Sequence, residues 1–524
     1  MTGRETATAL ATGLADAGVT RLFGVPGGGA NLDMIGAAAE LGIEFVLTHG
    51  ETPACIAAGA FGRLTDTPGV AVVTRGPGLT SAANGMAQAT LDRAPVLLVS
   101  DTVGSATRHR TGHQRLDQTA ATRPLTKWSG TLGSLDPRAV AAAAATLALA
   151  GPRGAVHLDV DPTVHGDPPP VVPAPPEPSG RDLARAREVV GAAARPVVVV
   201  GTDAAVDTAA VRAVLRDLGC PVLVTYQAKG VVPESWPCFA GMFTGAVLER
   251  PLLERADVVV GIGLDPVEPM PGPWPYLPPV VLLHSHPVDP AYFGDALVVT
   301  GPYDRILPAA LATADPRWPG GEAARTWTDA RAGLEPPAGR TTLAPQDVVD
   351  EAHHALGGGP LTVDAGAHML VTMPLWATDG PDPVLISNGL ATMGHALPAA
   401  IGAALSRPGR RVACLVGDGG LGMALAELET LARLRLDVTV VVFDDAALSL
   451  IAVKQGSGQG GAGAVDYGAV DFATVARGLG VPAERVEDAT QLRKALSDTS
   501  SGPRLVDARI DPSEYARIIR VIRG

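Results

Sequence analysis

The feature that most restricts this chain is a series of short, nearly uninterrupted runs of β-branched and aliphatic residues along its whole length. They read RLFGV, EFVLTH, VAVVT and PVLLVS, then PVVVVG, PVLVTY, ADVVVGIG and VVLLHS, and finally LTVDAG, RVACLVGDG and VTVVVFDD. A strand with one wet face alternates apolar and polar residues; these runs do not, so both faces must be covered. Ala- and Leu-rich stretches of helical length lie between them and supply the cover. The expected fold is α/β, with three doubly wound parallel-sheet domains, because 524 residues exceed what one core supports. Ligands of such sheets bind beyond the carboxyl ends of strands. The segment GDPPPVVPAPPEPSG (166–180) forbids helix and central strand, and 315–345 is rich in Pro, Gly and Arg around one possible short helix. The domains expected from these breaks are 1–165, 181–315 and 345–524, the first and third alike in plan.

A formal net charge of −13 argues against a nucleic-acid partner. No apolar run approaches the roughly 18 residues that span a bilayer, and the first residues read as an amphipathic helix without a signal core. Cys55, Cys220, Cys238 and Cys414 lie far apart and read as small hydrophobes in a reducing cytosol, so a cytoplasmic location is expected.

The most informative segment runs from Gly417 to Ile451. Gly417, Gly419 and Gly422 satisfy the GxGxxG pattern of dinucleotide sites, which alone is weak. Asp418 stands inside the glycine turn, where its carboxylate would repel a bare pyrophosphate. A divalent cation between the two turns repulsion into ligation, since Mg²⁺ takes carboxylate and phosphate oxygens together. Asp445 ends the next apolar strand, 27 positions on, and neighbouring parallel strands bring their carboxyl ends side by side. Either aspartate alone reads as a turn residue or strand terminator; the pair with the glycines favours a metal–diphosphate site. A helix with Leu425, Leu428, Leu431 and Leu434 on one stripe is expected to follow.

Here the sequence resembles the thiamine-diphosphate-dependent enzymes of the acetolactate synthase and 2-oxo acid decarboxylase superfamily. Their GDG element and later paired-Asn element correspond to Gly417-Asp418-Gly419 and Asp444-Asp445. The resemblance implies that Asp418, Asp445 and the Ala447 carbonyl hold Mg²⁺, and that Gly417, Gly419, Gly420 and Leu448 line the cofactor. Asp replaces Asn at both paired positions. LFGVPGGG resembles the turn facing the cofactor pyrimidine, which implicates Pro26 and Gly27. Counting back from the TDTPG turn puts Glu51 on the family's catalytic glutamate, which favours the imino tautomer that removes the thiazolium proton. Such a carboxyl needs desolvation, and Glu51 follows an apolar strand with no acidic side chain until Asp66. The bland alternative is an acid at a helix N-terminus. Ala391 and Met393 match the motif that bends the cofactor, and Gly366 and His368 the element that grips its diphosphate. The resemblance also implies pyrimidine-binding, central and diphosphate-binding domains, and a homodimer or homotetramer with active sites between subunits.

GHQRLDQTAATRPLTKWS resembles the family's substrate loop, with Gln114 on its glutamine and His113 replacing its aromatic residue; His113 is a candidate acid–base group or an ordinary loop histidine. Three acetolactate-synthase features are replaced: Lys454 stands for the substrate-selecting Trp, Gly263 for an arginine, and Pro162 for a lysine. The expected activity is a decarboxylating carboligase joining a 2-oxo acid donor to a carbonyl acceptor, with altered specificity. The alternative is a lyase, either a 2-oxo acid decarboxylase or a 2-hydroxyketone or 2-hydroxyacyl-CoA lyase. No segment decides whether the central domain takes FAD.

Overall fold

The computed structural model describes residues 3–524 apart from 162–165, 173, 271, 338–339, 341, 381–383, 456–458 and 460–462. Pro162 therefore lies outside the described residues. Three sheets of six parallel strands follow one another along the chain, each wrapped by helices. The first comprises β1 (Arg21–Val25), β2 (Glu44–Leu47), β3 (Gly69–Val73), β4 (Val96–Asp101), β5 (Trp128–Thr131) and β6 (Val156–Val160), in the order β2-β1-β3-β4-β6-β5. The second comprises β7 (Pro196–Val200), β8 (Val222–Thr225), β9 (Phe239–Phe243), β10 (Val258–Ile262), β11 (Val280–His284) and β12 (Leu297–Thr300), in the order β12-β11-β10-β7-β8-β9. The third comprises β13 (Leu361–Val363), β14 (Val384–Ile386), β15 (Val412–Gly417), β16 (Val438–Asp444), β17 (Ala483–Val486) and β18 (Arg504–Arg509), in the order β14-β13-β15-β16-β18-β17. The first and third sheets share one strand order. The middle sheet has the order of dinucleotide-binding folds, reversing between β7 and β10.

Every apolar run became a strand, and those at sheet centres, such as β3 and β16, are buried throughout. β5, β6, β9, β12, β14, β17 and β18 were not among the runs, and all of these but β6 and β18 are sheet edges. An edge strand has one neighbour and tolerates polar residues, as in WSGT and AERV. The stretch 315–345 is no free linker: its helix Glu322–Ala332 sets Trp327 edge-on against Phe239 of β9, with centroids 5.7 Å apart. Of the leucine stripe, Leu428, Leu431 and Leu434 lie on helix Glu427–Leu434, while Leu425 falls in the break at Leu425–Ala426 that separates it from helix Asp418–Ala424. No described helix is long and apolar enough to cross a membrane.

The first and third domains share a core. Helix Glu51–Thr65 lies on helix Ala396–Ser406 so closely that a Cβ at Gly402 would stand 2.2 Å from the Ala57 carbonyl oxygen. Alanine and glycine on both faces permit this approach. It fixes the helix that begins at Glu51 against the domain that carries Asp418.

Candidate active site

In the third domain the carboxyl ends of β13, β15 and β16 meet at a cavity of about 270 Å³. Its lining includes Gly366, His368, Ala391, Met393, Gly417, Asp418, Gly419, Gly420, Asp445, Ala447, Leu448 and Lys454. These residues, up to 88 positions apart on the chain, converge on one cavity.

Register explains the aspartates. Gly417 pairs with Phe443 across β15 and β16, so Asp418 and Asp445 follow adjacent strand ends. Asp418 is the first residue of its helix and buried, its Oδ1 accepting from the Gly419 amide at 2.7 Å. Asp445 accepts from the Ala447 amide at 3.2 Å and from the Ser449 hydroxyl at 2.5 Å. Burial, then the charge of Asp445, pushes Asp418 up to about 7; burial also raises Asp445. Neither forms an ion pair among the described residues, whereas neighbouring Asp444 pairs with Arg509 at 2.8 Å. Two like charges pressed together without a counter-charge fit a divalent cation, which both carboxylates would hold.

The cradle is equally specific. A Cβ at Gly420 would stand 1.9 Å from Asp364 Oδ2, and one at Gly419 3.0 Å from Leu448 and 3.4 Å from Met393. A side chain at Gly420 would strike Asp364, and one at Gly419 would crowd Leu448 and Met393 on the cavity wall, so the glycines keep the cradle close-packed below and open above. His368 stacks on Phe443 with centroids 5.3 Å apart, and burial pulls it down to about 3, so it is a neutral wall. Met393 is half-buried, beside Ala391 with its φ of 57°.

Two residues that sequence reasoning passed over shape this cavity. Asp364, fully buried after β13, accepts from the amides of Gly394, His395 and Ala396 at 2.9, 2.6 and 3.1 Å. It therefore fixes the turn that presents Met393; burial raises it to about 6 against those three amides. Its signal was the motif TVDAG itself. Tyr515, on the last helix, is buried on the cavity wall, and no local pattern marks it.

The first-domain residues gather separately. Pro26 and Gly27 follow β1, Glu51 opens the helix after β2, and Gly76 follows β3. The Gly27 amide donates to Asn31 at 3.0 Å, and a Cβ there would strike Thr74 at 2.3 Å. A Cβ at Gly78 would touch Glu51 Oε1 at 3.4 Å, and one at Gly76 would meet Gln114 at 3.1 Å. Gln114, with φ 54°, thus lies against the turn at Gly76, while His113 is exposed. Glu51 itself is half-buried. None of these residues lines the third-domain cavity of the same chain. Lys454 does line it and is exposed; Gly263 does not. Gly263 follows β10 with φ 63°, and a Cβ there would stand 2.3 Å from the Ala204 amide, so no arginine fits.

Paired parallel-sheet domains bearing a glycine cradle, two uncompensated carboxylates and a separate glutamate helix define a thiamine-diphosphate-type enzyme. The chain belongs to the thiamine pyrophosphate enzyme family. The family's N-terminal binding domain matches residues 4–121, its central domain 183–292 and its C-terminal binding domain 364–508. It is 30% identical to an acetolactate synthase of Bacillus subtilis, over 96% of this chain and 92% of that protein. It is likewise 30% identical to a catabolic acetolactate synthase of Raoultella terrigena, over 94% and 93%. A probable acetolactate synthase large subunit of Methanocaldococcus jannaschii is 27% identical, over 97% and 92%. The chain is an acetolactate-synthase-like, thiamine-diphosphate-dependent enzyme.

Proposed function

We propose that this enzyme is a carboligase that decarboxylates a 2-oxo acid and joins the remainder to a carbonyl acceptor other than a second small 2-oxo acid. The observation that supports it is the uncompensated pair Asp418 and Asp445 within the glycine cradle, beside an exposed Lys454. When bound, thiamine diphosphate supplies an acidic carbon that adds to carbonyls and stores the electrons released on decarboxylation. Asp418, Asp445 and the Ala447 carbonyl would hold Mg²⁺; Gly366, His368, Gly417, Gly419, Gly420 and Leu448 would leave room for the diphosphate and wall it from water. Met393 and Ala391 set the bend, with Asp364 holding their turn. Pro26 and Gly27 would face the pyrimidine, and Glu51 is the acid that would hold or release a proton at its ring nitrogen. Gln114 and His113 contact substrate.

Glu51 stands off the cavity of its own chain, so the reading includes a homodimer whose partner supplies it. The pyrimidine side is assigned to 1–165, the central domain to 181–315 and the diphosphate side to 345–524. Lys454 offers a flexible cation to the acceptor, which favours acceptors bearing an anionic group, or larger aldehydes. Incubation with pyruvate and a panel of aldehydes and longer 2-oxo acids tests the reading by product analysis. Acetolactate as the dominant product, with no acceptor giving a higher kcat/KM, overturns the altered specificity. Release of free aldehyde without ligation supports the lyase instead.

A further inference from the structure

Helix Glu51–Thr65 lacks the usual means of finishing its N-terminus. Its N-cap is Gly50, extended at φ −152° and ψ 156°, with no side chain to accept a hydrogen bond. In a capping box a carboxylate three residues past the cap reaches back to the cap amide. Here that position is Pro53, which has none.

A carboxylate from the third domain takes its place. Glu427, fully buried, accepts from the His49 amide at 2.9 Å and from the Gly50 amide. Its other oxygen accepts from the Thr430 hydroxyl at 2.9 Å. The same helix, Glu427–Leu434, holds this segment at two more points. Glu429 meets the His49 ring at 2.8 Å, and Arg433 donates to the Leu47 carbonyl at 2.6 Å. Three side chains of one helix thus grip Leu47, His49 and Gly50, the residues leading directly into Glu51. That helix begins three residues after the one opened by Asp418.

We propose that Glu427 is a positioning residue that sets the reach of Glu51 through the His49–Gly50 turn, so the metal-loop domain of each chain aims the glutamate of that same chain. This rests on Glu51 being the activating acid. The physical basis is that loss of the carboxylate orphans two amides at the base of the helix. The turn would then relax, and misplacement by about 1 Å can cost 10²-fold in rate. Because Glu427 touches neither cavity residue nor cofactor position, its loss should lower kcat while leaving KM and cofactor affinity near wild type.

The test is hydrogen–deuterium exchange at the thiazolium carbon in holoenzyme saturated with thiamine diphosphate and Mg²⁺, with kcat and KM measured alongside. Glu427→Ala is expected to slow exchange about tenfold to a hundredfold. Glu427→Gln, which keeps an acceptor oxygen for both amides, is expected within a few-fold of wild type. Slow exchange in Glu51→Gln together with wild-type exchange in Glu427→Ala overturns the positioning role and leaves the Glu51 reading intact. Wild-type exchange in Glu51→Gln overturns both. Equal slowing by the Gln and Ala variants also overturns it, since the amide preserves the contact. If Glu427→Ala does not fold, Thr430→Val decides: slowing of about threefold supports the role, and none overturns it.

Discussion

Two buried aspartates stand at strand ends of two sheets and differ in almost everything else. Asp418, after β15, faces Asp445 and is pushed up to about 7, chiefly by burial and then by that neighbour. Asp203, after β7, is also buried, but the ring of His286 lies 3.2 Å away and Tyr303 donates at 2.6 Å. The Ser285 amide and hydroxyl donate at 3.0 and 2.9 Å. Burial alone would raise Asp203; His286, His284 and Tyr303 instead hold it well below the usual carboxylate range. Asp203, His284 and His286 form the sole three-residue cluster of metal-ligating type among the described residues, yet the carboxylate's oxygens are already taken by donors. The lesson is that a carboxylate at a strand end marks a ligand site when its surroundings leave it uncompensated, and an internal brace when they do not.

The sharpest way to break this contrast is Asp418→Ala. It is expected to abolish Mg²⁺-dependent cofactor binding and activity together, read as loss of the concentration-dependent rise in Tm on adding both ligands. A retained shift would mean the carboxylate holds no ion. Next in size is Glu51→Gln, expected to slow exchange at the thiazolium carbon by about 10²–10⁴-fold with cofactor affinity largely kept. Asp203→Asn then probes the other aspartate. It is expected to destabilise the fold by about 1–3 kcal/mol in denaturant unfolding, because the donors of Ser285 and buried Tyr303 lose carboxylate oxygens that accept from them. Metal-free Asp418→Asn, by contrast, is expected to be no less stable than wild type, since it removes a strained charge. Equal destabilisation by the two would erase the distinction.

The pH dependences run in opposite senses. Asp418 has a raised folded-state value, so its stabilising contribution to metal-free protein is full below the ordinary aspartate range and lost as pH climbs through about 7. Asp203 is lowered, so its contribution is present above that range and lost on acidification. Protons also compete with the cation at Asp418: Mg²⁺ affinity is expected to fall ~10-fold per pH unit below about 7 and to level off above it. Titration of cofactor binding between pH 5.5 and 8.5, about a unit and a half either side, checks this. The smallest expected effect is that of Lys454→Trp, a shift of about tenfold in kcat/KM toward small 2-oxo acids.

The contrast also shows what a linear sequence conveys. The runs at sheet centres were readable because a strand buried on both faces has no polar residue to spare. Asp418 and Asp445 were readable because strand ends in register share a neighbourhood that spacing reveals. Edge strands such as β17, with AERV, carry no such pattern. β18 was hidden differently, since Asp507 interrupts its apolar run inside the sheet. Sequence likewise placed Glu51 in acid-free surroundings, but folding brings Glu427 and Glu429 to the turn before it. Those carboxylates lie in another domain, and no periodicity links the two segments. Gly263 looked like a lost substrate contact; the Ala204 amide 2.3 Å from its missing Cβ shows a backbone reason for the glycine.

The clasp on the His49–Gly50 turn has a consequence for synthesis of the chain on the ribosome. The amide of His49 and the carboxylate that receives it are 378 positions apart. At roughly 5–20 residues per second, translation leaves about 20–75 s between the emergence of one and of the other. During that interval the first domain can assemble its sheet, but the start of its glutamate helix has unmet amides and its alanine-rich face has no cover. A chaperone that holds nascent chains would find its binding surface there, on the same helix face that Ala396–Ser406 later buries. Truncation before residue 396 would make that transient exposure permanent.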